Sequence, residues 1–297
     1  MFSALPTPAE MSVWDKEAAK LGLPGFTLME NASREALHVL EEHAGPLEGK
    51  RILLLMGAGN NGGDAACLAR HLADAHADPL VIHSRPLTKA KGETGRHVRL
   101  ARRCGVRFCP ASAFLRSPDR FQPDILVDGL LGTGFSGTLR PLESELVRAA
   151  NALGLHALVL ALDIPSGLSG LIGRPQPAAV RANITVTFEA AKPGLILPEA
   201  SHYVGQLIVR RIGIPGCVRH LFPSSFEKLE PGCLDALPPV SSFSHKGKGG
   251  HVLILGGSGR FPGAPRLAAM GALRSGAGLV TLGAPEAFID IIRGGCP

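Results

Sequence analysis

The chain has 297 residues, enough for two domains or one large one. Glycine (37) and proline (24) make up about a fifth of it, below the roughly 25–30% that marks low-complexity sequence, so a globular fold is expected. The formal net charge is +6, but the basic residues are scattered. The largest local excess, from His97 to Arg107, reads as a solvated face, and no apolar run is long enough for a membrane span, so neither nucleic acid nor a membrane is favoured as partner.

In chain order, the stretch from Leu5 to Gly45 reads as two helices broken at LGLPG, where Gly22, Pro24 and Gly25 cannot extend a helix. From residue 51, strand-sized apolar runs at 51–56, 79–84, 106–109, 124–131, 156–164, 183–188 and 205–212 alternate with other segments. Helical patterns lie near 65–77, 93–104 and 142–153. Strands that are apolar nearly throughout, separated by helices, predict an α/β fold. The expected form is Rossmann-like, a doubly wound, mostly parallel sheet with helices on both faces. Periodicity is lost at about 214–245, which reads as an interdomain connection. A strand at 251–257, a helix at 265–275 and a strand at 278–284 then restart the pattern. This is too little for a self-sufficient domain, so a second domain cut short is expected; the alternative is that the tail adds strands to the first sheet. The boundaries are 1–215, a linker 216–244, and 245–297. No secretory signal is visible. Cys67, Cys104, Cys109, Cys217, Cys233 and Cys296 form no CxxC pair, which fits reduced thiols in a cytoplasmic protein.

Three strand ends carry chemistry. GAGNNGGD (Gly57 to Asp64) lies where a strand passes into a helix, a place that binds phosphate. The string satisfies GxGxxG, but Asn60, Asn61 and Asp64 add polar groups that a packing turn does not need. VDGLLGTGFSG (Val127 to Gly137) places Asp128 at the end of an apolar run, where a carboxylate must be paired or bound to a cation. LALDIPSGLSG (Leu160 to Gly170) delivers Asp163, and Ser166 after a proline. TFEAAKPG adds Lys192 close to a second proline.

These segments, with LMENAS before them, resemble the NAD(P)H-hydrate epimerase family over about residues 10–215. HKGKGGHVLILGGSGRFPGAPRLAAMGALRSGAGLVTLGAPEA is similar to the opening of the ADP/ATP-dependent NAD(P)H-hydrate dehydratases, of ribokinase-like fold. The two parts occur together in bifunctional NAD(P)H-hydrate repair enzymes. The epimerases interconvert the R and S forms of NAD(P)H hydrated at nicotinamide C6, NAD(P)HX. The resemblance implies substrate contacts at Asn60, Asn61, Gly62, Gly63 and Asp64, and at Gly132, Thr133, Gly134, Phe135, Ser136, Gly137 and Thr138. It also implies contacts at Asp163, facing the modified ring, and at Ala264. A potassium ion would be held by Asn61, Asp128 and Ser166. Epimerisation needs an acid and a base, and Asp163 with Lys192 is the expected catalytic pair. ADP or ATP would serve only the dehydratase part, whose activity is expected to be absent here because the sequence stops before a later nucleotide-binding lobe. Two small residues depart from the family pattern, Ala65 and Ser33, where glycine is usual. A homo-oligomer through the N-terminal helices is compatible with the pattern. The competing readings are a non-catalytic nucleotide-site binding module and an NAD-dependent oxidoreductase. The latter is disfavoured because His83 and Ser84 stand where a ribose-binding acid is expected.

Overall fold

A computed structural model describes residues 2–237 and 245–293. The 238–244 part of the expected linker and Cys296 lie outside the described residues. The chain forms two compact units, residues 1–230 and 231–297. Among the described residues no helix is long and apolar enough to cross a membrane, and the described cysteines are free.

The first unit opens with β1 (Phe2–Leu5), α1 (Pro8–Lys20) and α2 (Gly25–Ala44). Pro8 at the start of α1 and a reciprocal Thr7–Glu10 capping box satisfy its first backbone donors. An alternating series follows: β2 (Arg51–Met56), α3 (Asn60–Asp74), β3 (Asp78–His83), α4 (Gly92–Arg103), β4 (Arg107–Pro110) and the single turn α5 (Ala111–Phe114). Then come β5 (Ile125–Gly129), α6 (Pro141–Leu153), β6 (Leu158–Leu162), β7 (Ile184–Phe188), α7 (Ser201–Val204) and β8 (Gln206–Arg210). The seven strands β2 to β8 form one sheet in the order β4-β3-β2-β5-β6-β7-β8, with every neighbouring pair parallel.

The strand pattern explains the layers. In β2, Ile52, Leu54 and Met56 pack with Trp14, Val39, Leu68 and Val98 from α1 to α4 on one face. Leu53 and Leu55 point the other way, to Phe114 and to Leu146 and Val147 of α6. Both faces are therefore covered, which is why the central strands read as continuous apolar runs.

Residues 216–230, taken from sequence as connection, are α8 (Gly216–Leu221) and β9 (Phe226–Leu229) of the first unit. Three tertiary contacts hold them there. β9 pairs antiparallel with β1. The buried Trp14 indole donates to the Phe222 carbonyl at 2.7 Å. Glu189, 5% exposed, accepts from Ile212 N at 3.1 Å, Ile214 N at 3.2 Å and Arg219 Nη1 at 2.6 Å. Turn-rich composition hid this segment, because its partners are distant in sequence.

The second unit contains β10 (His251–Leu255), α9 (Gly263–Arg274), β11 (Leu279–Gly283) and α10 (Ile289–Arg293). β10 and β11 pair in parallel as their own two-stranded sheet, so the tail does not extend the first sheet.

Candidate functional site

The chain leaves β2 toward β3 and β4 on one side, then crosses back to place β5 on the other. The loops after β2 and β5 therefore diverge and open a crevice at the carboxyl ends of the strands, the ligand position of doubly wound sheets. Asn60, Asn61, Gly62, Gly63 and Asp64 are the first turn of α3 rather than a loop before it. Glycine weakens a helix interior, and the reason for it here is close packing. A β-carbon at Gly62 would collide with the Gly57 backbone, and one at Gly63 would lie 2.5 Å from the Met29 sulfur. These two glycines seat α3 against its neighbours and do not line a cavity.

Asp163 follows β6 with φ +64, in the left-handed region that a side-chain-bearing residue rarely adopts. Ile164 N donates to Leu162 O at 2.8 Å across it, a tight γ-turn. Asp163 N donates to Val186 O of β7 at 2.7 Å and holds the turn on the sheet. Such strain persists only when the surroundings over-determine it. The carboxylate accepts from Lys192 Nζ at 2.6 Å and Thr187 Oγ1 at 3.4 Å on one oxygen, and from Thr133 N at 3.2 Å on the other. Lys192, 1% exposed, also donates to Thr187 Oγ1 at 2.9 Å and Phe188 O at 3.1 Å, so its three ammonium protons are all used. The expected Asp163–Lys192 pair is thus formed, with Thr187 as an intermediary that sequence reading missed.

Asp128, 0% exposed, lies at the end of β5. Its Oδ1 accepts from Leu130 N at 3.2 Å and Ser166 Oγ at 2.6 Å, and its Oδ2 from Ser166 N at 2.7 Å. Burial pushes its pKa up to about 6 against the lowering effect of these bonds. The sequence required a compensating group for Asp128, and the chain itself supplies one. Asn61 Nδ2 donates to Leu131 O at 2.8 Å, whereas Asn61 Oδ1 is buried without a partner. Asn61, Asp128 and Ser166 therefore converge on the Leu130–Leu131 turn, with one amide oxygen unused.

Two cavities open at the crevice and share Asn60, Asn61 and Gly132. The first, about 250 Å³, is walled by Met11, Leu28 and Met29 and bears Asp15, Asp64, Asp163 and Lys192. Burial, reinforced by the charges of Asp163 and Asp15, raises the Asp64 pKa well above its ordinary value. Burial and the Asp163 charge push Asp15 up to about 6. The second cavity, about 400 Å³, is lined by Gly57, Gly59, Gly134, Phe135, Ser136 and Thr138 together with Ser84, Arg85, Arg140 and Glu143. Thr133 lines the first cavity, and Gly137, at φ +83, turns the loop without lining either. Ala264 lies in the second unit, in the first turn of α9. The two departures from the pattern are accommodated. Ser33 donates to the Asp64 carbonyl at 3.0 Å, and buried Ala65 packs where Gly129 leaves room.

Asp15 was missed by sequence reading. Its spacing of four from Met11 and Ala19 places it on one face of α1, but only the tertiary structure lays that face over the crevice.

The family described as YjeF-related protein N-terminus matches residues 25–194, and the NAD(P)H-hydrate dehydratase family matches residues 252–297. The chain is 35% identical over 294 residues to the bifunctional NAD(P)H-hydrate repair enzyme Nnr of Methanothermobacter thermautotrophicus, covering 96% of this chain and 54% of that protein. It is 38% identical over 288 residues to the enzyme of the same name from Pyrobaculum aerophilum, covering 94% and 54%. It thus spans about half the length of the curated relatives it matches. The crystal structure of yeast ynu0 has the same fold at a TM-score of 0.63 and 20% identity, over 77% of this chain and 96% of that one.

Proposed function

The chain belongs to the family of the YjeF-related protein N-terminus, and from that membership we propose that its first unit is an NAD(P)H-hydrate epimerase, an isomerase acting on NAD(P)HX. The observation that carries the reading is the buried Asp163–Lys192 pair, 2.6 Å apart, facing a cavity that adjoins a second one lined by Gly57, Gly59 and Gly134. A dinucleotide has the matching halves. Its hydrated nicotinamide ring suits the chamber with apolar walls and carboxyl groups, and its diphosphate suits the glycine-rich loop and the start of α3.

Epimerisation at a ring carbon that bears a hydroxyl breaks the C–O bond, with a proton delivered so that the hydroxyl leaves as water, and re-forms it as water adds to the opposite face and gives up a proton. Asp163 is the acceptor. Lys192, with every proton committed, holds that carboxylate aimed at the cavity. Asp64, whose pKa burial raises, is the donor within the same chamber. A pure binding module has no use for a buried ion pair in a strained turn, since such a pair is expensive to desolvate.

The oxygen donors also fit a potassium ion. Asn61 Oδ1 is buried and unused, and Asp128 accepts three hydrogen bonds, leaving about one of its roughly four lone-pair sites. Asn61, Asp128 and Ser166 would hold the ion, a hard cation suited to all-oxygen ligands, and it would supply positive charge beside the phosphate loop. ADP or ATP belongs with the second unit, to which no activity is assigned.

The test is a coupled assay with an R/S mixture of NADHX, ATP and a separate S-specific dehydratase. Complete conversion of the residual R form to NADH on adding this chain supports the epimerase. Conversion no faster than the spontaneous rate overturns it.

A further inference from the structure

The second cavity carries a cationic group that the epimerase reading does not use. β3 runs beside β2 with His83 opposite Met56, and Ser84 N donates to Met56 O at 3.0 Å. The residues after β3 therefore emerge directly beside the Gly57–Gly59 turn, and Ser84 and Arg85 line the same cavity as that turn. The Arg85 backbone is fixed from two sides. Its carbonyl accepts from His83 Nδ1 at 2.8 Å, and Pro86 follows it, restricting it to extended conformations. Its side chain is exposed, and no carboxylate pairs with its guanidinium among the described residues. Arg140 differs, because Glu143 approaches it at 3.9 Å and also accepts from its backbone N at 3.1 Å. Glu143, the carboxylate on this cavity's wall, is thereby engaged.

In a doubly wound sheet the end of the strand after the glycine turn meets the adenosine ribose. An acidic residue there accepts from a free 2′-hydroxyl and repels a phosphate, whereas an arginine admits the phosphate. Here the two residues just past the strand end are Ser84 and Arg85, one hydroxyl and one uncommitted planar fork of donors suited to a phosphate monoester. We propose that Ser84 and Arg85 form a subsite for the 2′-phosphate of the adenosine ribose, so that the first unit selects the 2′-phosphorylated dinucleotide, NADPHX, over NADHX. The proposal rests on the second cavity holding the adenosine half of a dinucleotide and deepens that reading.

The experiment is titration calorimetry on the full chain with adenosine 2′,5′-bisphosphate, adenosine 3′,5′-bisphosphate and 5′-AMP, repeated with Arg85→Ala and Arg85→Lys. The expected result is binding of the 2′,5′-bisphosphate at least about tenfold tighter than either other probe. Arg85→Ala abolishes that preference without changing the affinity for 5′-AMP, and Arg85→Lys retains part of it. Equal affinities for the 2′,5′- and 3′,5′-bisphosphates mean general attraction of anions and overturn the subsite. An unchanged preference in Arg85→Ala, or no binding of the bisphosphates, does the same. Arg85 is exposed in a turn, so its replacement leaves the fold intact, and the probes lack the nicotinamide half. A 2′-phosphate preference in a chain that fails to epimerise NADPHX would remove the epimerase reading and leave the subsite standing. Turnover of NADHX and NADPHX with equal kcat/KM would do the reverse.

Discussion

The aspartates at the ends of β5 and β6 sit on neighbouring strands, each close to a glycine-rich loop, yet their surroundings differ. Asp128 is sealed from solvent, and rigid backbone donors of two loops, with the Ser166 hydroxyl, take up its oxygens. Asp163 is 9% exposed, faces a cavity, and is paired with a side chain that reaches it from the next loop. A carboxylate held by backbone amides clamps loops together. One held by an ammonium group and open on its remaining side can exchange a proton with a bound molecule.

Replacement of each aspartate tests that division. Asp163→Asn is expected to lower the epimerisation rate by about 10²–10⁴-fold, the usual share of a general base. It also leaves the buried Lys192 without a counter-charge, a loss on the order of 3–5 kcal/mol of stability. The coupled assay and thermal melting read the two effects separately, and an unimpaired rate would remove Asp163 from the chemistry. Asp128→Ala strands two buried backbone donors, Leu130 N and Ser166 N, at roughly 1–3 kcal/mol each, and leaves the Ser166 hydroxyl only its longer bond to Leu131 O. We expect a loss of about 3 kcal/mol or more, seen as a fall in Tm of roughly 6–12 °C. A smaller fall would mean that the loops do not depend on the clamp.

The first cavity should also show itself in the pH dependence of stability. Asp15 keeps its proton up to about pH 6 in the folded protein, while in the unfolded chain it loses it near 3.8, the ordinary value for an aspartate. Between those values the folded state binds more protons, so this group's contribution falls as pH rises from about 4 to about 6 and is flat above. Asp15→Asn should remove that slope and stabilise the protein at pH 7. Solvent screening of a half-buried group holds the gain to about 1–2 kcal/mol. Melting curves for both proteins from pH 4 to 8 check it, and parallel curves would exclude the effect. The smallest loss is expected for Ser166→Ala. It loses the hydroxyl bond to Asp128 and the one the hydroxyl accepts from Leu131 N at 2.8 Å, but keeps the backbone bond to Asp128, at a cost of about 2 kcal/mol, or roughly 4–8 °C in Tm. A loss as large as that of Asp128→Ala would place the clamp in the hydroxyl instead of the backbone.

Much of this was legible before folding. Continuous apolar runs at 51–56, 124–131 and 183–188 are strands of the parallel sheet because only a sheet covered on both faces hides every side chain of a strand. The Asp163–Lys192 pair was expected and is formed. Gly62 and Gly63 of GAGNNGGD have a packing role that the sequence does not announce, because it depends on Gly57 and Met29 arriving from other elements. Residues 216–230 looked like linker, because their partners Trp14, Glu189 and β1 lie elsewhere in the chain.

By itself the sequence determined the period of the elements, and hence the layered α/β class, and it placed acids and glycines at strand ends. Those properties are local and survive in any arrangement that buries the same faces. Only the tertiary structure decided which strand ends meet. The crossover from β4 to β5 opens the crevice beside β2. α1 then lays Asp15 over it. The turn at Asp163, at φ +64, has no signature in residue type, because it is imposed by the bond to β7 and the reach of Lys192. Charge separation and proton affinity depend on distance and burial, and both come into being only when distant segments pack.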